Sequence, residues 1–241
     1  MNMSALTPSS SSPSTDPQAG PSRQRRKEAR PQELLEAALA LFVEKGFAAT
    51  RSEEVAARAG VSKGTLYLYF PSKEELFKAV VRQNLSTLIA EGQGLVDAFE
   101  GSTSELLTCL MEAWWARVIT TPASGIFKIM MSEARNFPEL AQFYVDEVVK
   151  PSQVLLGRTV ERGIRRAEFR ELPVRDVVHA LIAPVLFLAM HKHSLGACGL
   201  DGMEMDPESF IRTQMRLVLQ GLERPSPGGE AGSANKMAGC R

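Results

Sequence analysis

The segment from Thr50 to Lys73 constrains this chain most, because it fits two helix starts, two helix stops and a tight turn into a short span. Thr50 and Ser52 each offer an N-cap, and Glu53 completes a capping box with Thr50. Val55, Ala56 and Ala59 give a small apolar face suited to close packing. Gly60 ends the helix, where a left-handed backbone is cheap only for glycine. Val61 plugs the turn, and Ser62 caps the next helix. Leu66 and Phe70 anchor that helix, and Pro71 stops it, since the residue before a proline avoids helical geometry. Ser72 with Glu75 then forms a further capping box and opens a long helix. Two short helices across such a turn make a helix-turn-helix, whose second helix lies in the major groove of DNA.

The second helix carries the chemistry that DNA contact needs. It is short and contains Gly64, which costs about 1 kcal/mol in a helix interior relative to alanine. A backbone that must approach DNA closely has a use for that glycine. Lys63, Tyr67, Tyr69 and Lys73 are expected on phosphates, and Thr65 on a base edge or a thymine methyl. With Arg51, Ser52, Ser62, Gly64 and Leu68 these form the candidate DNA-binding set. The competing reading is an ordinary helical hairpin with incidental tyrosines. The run Gly-Val-Ser-Lys-Gly-Thr is not a nucleotide-binding loop, because its lysine precedes the second glycine and an alanine-rich helix lies upstream.

The formal net charge is 0, so whole-chain electrostatics do not announce a nucleic-acid partner. Local charge does, since phosphate affinity depends on where cations sit. Arg23, Arg25, Arg26, Lys27 and Arg30 cluster before the first helix, as an arm for the DNA backbone or minor groove, or as a solubilising run. Cys109, Cys198 and Cys240 are scattered and lack zinc-cluster spacing. The Ser- and Pro-rich N-terminus is not a secretory signal. The longest apolar run, Ala180 to Met190, is too short to span a bilayer and holds Pro184. A cytoplasmic protein with no membrane partner is expected.

Every periodic segment is helical, so the expected fold is all-α. A helix from about Pro31 to Lys45 repeats Leu35, Ala38, Leu39 and Phe42 at helical spacing. A long helix runs from Ser72 toward Phe99, and Ser102 with Glu105 opens another that Pro122 closes. Further helices are expected from about Ser124 to Asn136, from Pro138 toward Gly163 with a kink at Pro151, from Pro173 to Ser194 and from Pro207 to Leu222. The expected domains are a disordered arm with the basic cluster (1–29), a three-helix helix-turn-helix (30–76), a larger helical domain (77–223) and a disordered tail (224–241). His191 and His193 lie two apart on a helix, point to different faces and find no third ligand. No metal site, cofactor, catalytic triad or carboxylate pair stands out, so an enzyme is not expected.

The segment Ala59 to Leu76, AGVSKGTLYLYFPSKEEL, together with Gly46, Phe47, Thr50, Val55 and Ala56, resembles the DNA-binding domain of TetR/AcrR-type regulators. The resemblance covers roughly residues 30 to 80; the remainder matches in architecture and length. Arg51 departs from the pattern, where the family often has Ser or Thr, and is a further candidate for phosphate contact. The resemblance implies a homodimer in which the helices around Val177–Met190 and Ile211–Leu222 pair with those of a partner. Ile211, Met215, Val218 and Leu222 form one stripe, of which Ile211, Met215 and Val218 are expected in the interface. Two reading heads then meet the half-sites of a palindromic operator. The resemblance also implies a small-molecule effector, here an apolar one, among Trp114, Trp115, Phe127, Met130, Met131, Phe143 and Tyr144, residue types that adapt to irregular apolar ligands. Repression is implied by the resemblance alone. The alternatives are a DNA-binding regulator with no small-molecule ligand, or an all-helical enzyme or ligand carrier, which leaves the helix-turn-helix unexplained.

Overall fold

The computed structural model describes residues 21–200, 202 and 204–224. The described residues are helical apart from connecting turns and an isolated antiparallel bridge between Phe169 and Glu223. α1 (Pro21–Lys45) begins well before Pro31. The basic run from Arg23 is therefore carried on helix, and the disordered arm expected through residue 29 is corrected from Pro21 onward. Arg, Lys, Gln and Glu are good helix formers. Extending an existing helix needs no new nucleus. The expectations for residues 1–20 and for the tail beyond Arg224 lie outside the described residues.

The reading head packs α2 (Ser52–Arg58) and α3 (Lys63–Tyr69) against α1 and α4 (Lys73–Val81). Its centre is an aromatic triad. Phe42 stands 5.5 Å from Phe47 and 5.4 Å from Phe77, and Phe47 stands 5.3 Å from Phe77, all three fully buried. Val55, Ala56, Leu66 and Leu76 close the core around it. Lys45 pairs with Glu54 at 2.7 Å, and Arg58 holds both oxygens of Glu44 at 2.7 and 2.9 Å, tying α2 to α1. These pairs are exposed, so burial rather than charge carries most of the packing energy.

α4 continues through a π-helical turn, Arg82–Ser86, into α5 (Thr87–Ala98). α6 (Thr103–Trp114) opens on the expected Ser102/Glu105 capping box and widens into a second π-turn, Trp115–Ile119. A 3-10 turn, Pro122–Ser124, leads into α7 (Gly125–Glu133). α8 (Pro138–Tyr144) passes through a third π-turn, Val145–Val149, into α9 (Lys150–Arg165). The kink expected at Pro151 takes this form. Pro151 has no N–H for the Glu147 carbonyl, and that oxygen accepts the Ser86 hydroxyl at 3.4 Å instead. α10 (Val174–Lys192) and α11 (Pro207–Leu222) complete the chain.

One continuous core runs from Leu34 to Leu222. The boundary expected at residue 76 falls inside α4, whose Leu76, Phe77, Val80 and Val81 are all fully buried. α10 is the one described helix long and apolar enough to cross a membrane. Here it packs against α7, α9 and α11.

Candidate DNA-reading surface

α3 is pinned by one buried side chain, Leu66, and everything else on it is available in some degree. Ser62 caps it as expected, accepting the Thr65 N–H at 3.1 Å, with the Ser62 and Thr65 hydroxyls 2.9 Å apart. Gly60, at φ +66°, makes the turn between the two helices. Lys63 forms an ion pair with Glu53 of α2 and lies 5.7 Å from the Tyr67 ring centre. A hydrogen bond from Lys63 holds the Glu53 carboxyl below its usual pKa, and the same bond raises that of Lys63. Leu68 is 84% exposed, an apolar side chain held out on a short helix. Such a group suits a thymine methyl in the major groove. A Cβ added to Gly64 would meet nothing nearer than the Ser62 hydroxyl at 3.8 Å, so packing within the protein does not require this glycine.

Arg51, Ser62, Lys63, Gly64, Tyr67 and Leu68 share this exposed surface, with Thr65 at its edge. Tyr69 is half-buried and packs partly against the core. Two members of the expected set sit elsewhere. Ser52 is buried in the first turn of α2 and faces the core. Lys73 turns back into the reading head, where its ammonium donates to the carbonyls of Phe47, Ala48 and Thr50 at 2.9, 3.2 and 3.1 Å. Its three protons are thereby used in a clamp on the α1–α2 loop, where the sequence leads one to expect a phosphate contact.

The start of α2 also differs from the capping expected. Thr50 does not cap it, because its hydroxyl serves the carbonyls of Gly46 at 2.7 Å and Leu41 at 3.2 Å. Arg51 takes the N-cap position, and Glu54 rather than Glu53 reaches back to accept the Arg51 N–H at 3.2 Å.

The expected effector residues divide. Phe127 and Met130 are buried, and the Trp114 ring lies 6.4 Å from Phe127. Trp115 is half-buried at the start of the second π-turn. Tyr144 shares a helix face with buried Leu140 and Val148, and desolvation pushes its hydroxyl pKa up. Met131 is 69% exposed and leaves the set, because it lies a third of a turn beyond Met130. Phe143 leaves it too. Its ring faces the junction of α4 and the first π-turn, with Arg82 at 4.8 Å and Lys78 at 5.7 Å from the centroid. The three π-turns lie close together, Arg82–Ser86 touching both of the others. π-turns of this kind are frequent at functional sites.

His193 does not stand near a metal-binding set; among the described residues no group of three or more His, Cys, Asp or Glu gathers in that way. Its Nε2 is 2.8 Å from the hydroxyl of buried Ser124. Ser124 gives its own proton to the Thr121 carbonyl at 2.8 Å and accepts from Lys192 at 3.3 Å. His193 must therefore be the donor through Nε2. Burial holds its pKa below the ordinary 6.5, reinforced by Lys192 and Lys128.

A groove of about 510 Å³ separates α10 from α11, lined by Ala180, Pro184, Phe210, Gln214, Leu217 and Val218 among others. Leu217 is 63% and Phe187 51% exposed, and the Phe187 and Phe210 rings meet at 5.9 Å. The Gln214 side-chain oxygen is buried without a hydrogen-bond partner among the described residues. The stripe expected to face a partner is only partly there. Half-buried Ile211 and Met215 pack against the chain's own core, Leu222 is buried in it, and Val218 touches that core while lining the open side with Phe210, Thr213, Gln214 and Leu217.

Comparison with known proteins fits this architecture. Residues 34–80 match the model of bacterial regulatory proteins of the tetR family, and residues 99–195 match a tetracyclin repressor-like C-terminal domain. The HTH-type transcriptional repressor KstR2 of Mycolicibacterium smegmatis is 27% identical over 194 residues, covering 80% of this chain and 90% of that protein. Among solved structures, the ketosteroid transcriptional regulator KstR2 of Mycobacterium tuberculosis aligns with a TM-score of 0.59 at 26% identity, over 81% of this chain and 96% of that one. The fatty acid degradation regulator FadR of Bacillus halodurans shares the fold, with a TM-score of 0.65 at 19% identity over 79% of this chain and 94% of that one.

Proposed function

The chain belongs to the TetR family of bacterial transcriptional regulators, and from that premise we propose that it is a cytoplasmic, dimeric repressor that reads a palindromic operator and is released by an apolar small molecule. It is a regulator rather than an enzyme, as its relatives are. The observation that carries the reading is the exposed face of α3, where Lys63, Tyr67 and nearly naked Leu68 project from a helix whose one buried side chain is Leu66. The backbone at Gly64 and the cations Arg51 and Lys63 serve phosphates. Thr65 and Leu68 serve base edges and thymine methyls.

One such helix makes few base contacts, so a second copy is needed to reach useful specificity. The open face of α10 and α11 supports that assembly. Leu217 and Phe187 lie uncovered there beside half-buried Phe210, and the Gln214 side-chain oxygen has no hydrogen-bond partner among the described residues. The same two helices of a second copy supply apolar cover and a hydrogen-bond donor around a two-fold axis.

The proposed effector site lies where the three π-turns approach, among Trp114, Trp115, Phe127, Met130 and Tyr144. These side chains are apolar and aromatic, which suits a hydrophobic ligand. The ketosteroid and fatty-acid regulators that share the fold make hydrophobic compounds the first to try. An effector releases DNA only by preferring a conformation with a different spacing of the reading heads.

Selection of bound duplexes from a random library tests the reading. Enrichment of an inverted repeat, with half-site centres about one helical turn or a multiple of it apart, is the expected result. Recovery of no common sequence contradicts it.

A further inference from the structure

The loop from Gly46 to Thr50, between α1 and α2, is held from two directions by groups outside it. From α4, the Lys73 ammonium takes the carbonyls of Phe47, Ala48 and Thr50, and sits 4.5 Å from the centre of the Phe47 ring. From the end of α7, a Glu133 oxygen accepts the Ala48 N–H at 3.3 Å. The other Glu133 oxygen accepts the Asn136 side-chain amide at 3.0 Å, which fixes the carboxylate. At the start of α8, the Phe137 ring meets Phe47 edge-on at 4.8 Å. One loop thus has its carbonyls anchored on α4 and its N–H and aromatic ring anchored on the α7–α8 junction.

The other end of α7 is equally close to the reading head. A Cβ on Gly125 would lie 2.5 Å from a Val43 methyl, nearer than non-bonded carbons approach, so only glycine lets α7 lie on α1 there. α7 carries Phe127 and Met130 on its buried face between these two contacts. Any adjustment of α7 against α4 pulls the two sides of the 46–50 loop in different directions. α2 begins two residues after Thr50 and packs directly against α3, so the loop sets where the reading helix stands.

We propose that the 46–50 loop is the port through which the second domain positions the reading helices, with Glu133 and Phe137 as positioning residues that act through Ala48 and Phe47. α4 is then one of two inputs rather than the sole connection. The inference deepens the proposed function and rests on it where DNA is concerned.

Hydrogen exchange on the full-length chain, followed by duplex binding, tests it. Glu133→Ala removes the acceptor for Ala48 at a half-buried position and should leave the fold intact. Phe137→Ala removes the ring contact. Phe143→Ala is the control, since it deletes an aromatic from the same helix that faces Lys78 and Arg82 and does not touch the loop. Amide exchange across residues 46–69 should rise about tenfold in the first two variants and not in the control, with exchange in α10 unchanged. Affinity for the duplex selected by the wild-type chain should fall by about tenfold in the same two. Unchanged exchange at 46–69 in both Glu133→Ala and Phe137→Ala overturns the proposal, as does an equal rise in Phe143→Ala. The exchange result holds even if no duplex is bound, so failure of the DNA reading and failure of this inference are told apart.

Discussion

Lys63 at the start of the reading helix is ion-paired with Glu53 of the preceding helix, so a cation expected on DNA is already neutralised in the free protein. Phosphate must displace Glu53 before Lys63 is available. Glu53→Gln removes the competitor together with a negative charge facing the duplex. Affinity for all duplexes should rise by roughly two- to fivefold at low salt, the range expected of exposed ion pairs. Anisotropy titrations across salt concentrations check this, and unchanged or weaker binding would show that Lys63 stays with Glu53 on the DNA.

Lys73→Met separates a clamp from a phosphate contact. Loss of hydrogen bonds from an ammonium to three carbonyls should destabilise the fold by about 1–2 kcal/mol. Binding should weaken because the loop loosens. The slope of log affinity against log salt should stay at its wild-type value, since no phosphate loses its cation. A shallower slope would return Lys73 to the DNA backbone.

How much of this was readable in advance depended on how local each signal is. The turn at Gly60, the Ser62 cap and the Leu66 anchor are encoded within a few residues and stand as read. Thr50 has the local pattern of a cap, but its hydroxyl answers to Leu41 and Gly46, carbonyls delivered by the preceding helix end. The acceptors that hold Lys73 lie more than twenty residues upstream, beyond the reach of a local pattern. The periodicity of α11 marked its apolar stripe but not which neighbour covers it, so Ile211 and Met215 went to the chain's own core and Leu217 to the open side. Met130 and Met131 show the same limit, where one residue of helical phase decides between burial and solvent. The π-turns carry no composition signal except at Pro151, whose missing N–H explains the third.

Leu217→Arg places a charge on the open face of α11 without disturbing the buried side. Sedimentation at micromolar concentration should show dimers for wild type and monomers for the variant. Operator affinity should fall at least about a hundredfold as the second reading head is lost. A wild-type monomer, or a variant that remains dimeric, excludes this face as the interface.

His193 makes stability depend on pH. Its folded pKa lies below 6.5, so between the two values the unfolded chain binds more protons than the folded one. Its contribution is therefore present above pH 6.5 and is lost as pH falls through the folded value. The melting temperature should decline from pH 7 to pH 5.5, and His193→Asn should flatten that decline. A variant with the wild-type slope over this interval would place the titration elsewhere.

The central claim is that the exposed face of α3 reads DNA sequence. Its most direct measurement is a titration of the full-length chain against the selected inverted repeat and a scrambled duplex of equal length, at one fixed salt concentration. The selected duplex should bind at least about a thousandfold more tightly. Thr65→Ala combined with Leu68→Ala should remove most of that preference while leaving binding to the scrambled duplex unchanged. Equal affinity of the wild-type chain for both duplexes, or a preference that survives the double substitution, would contradict the claim.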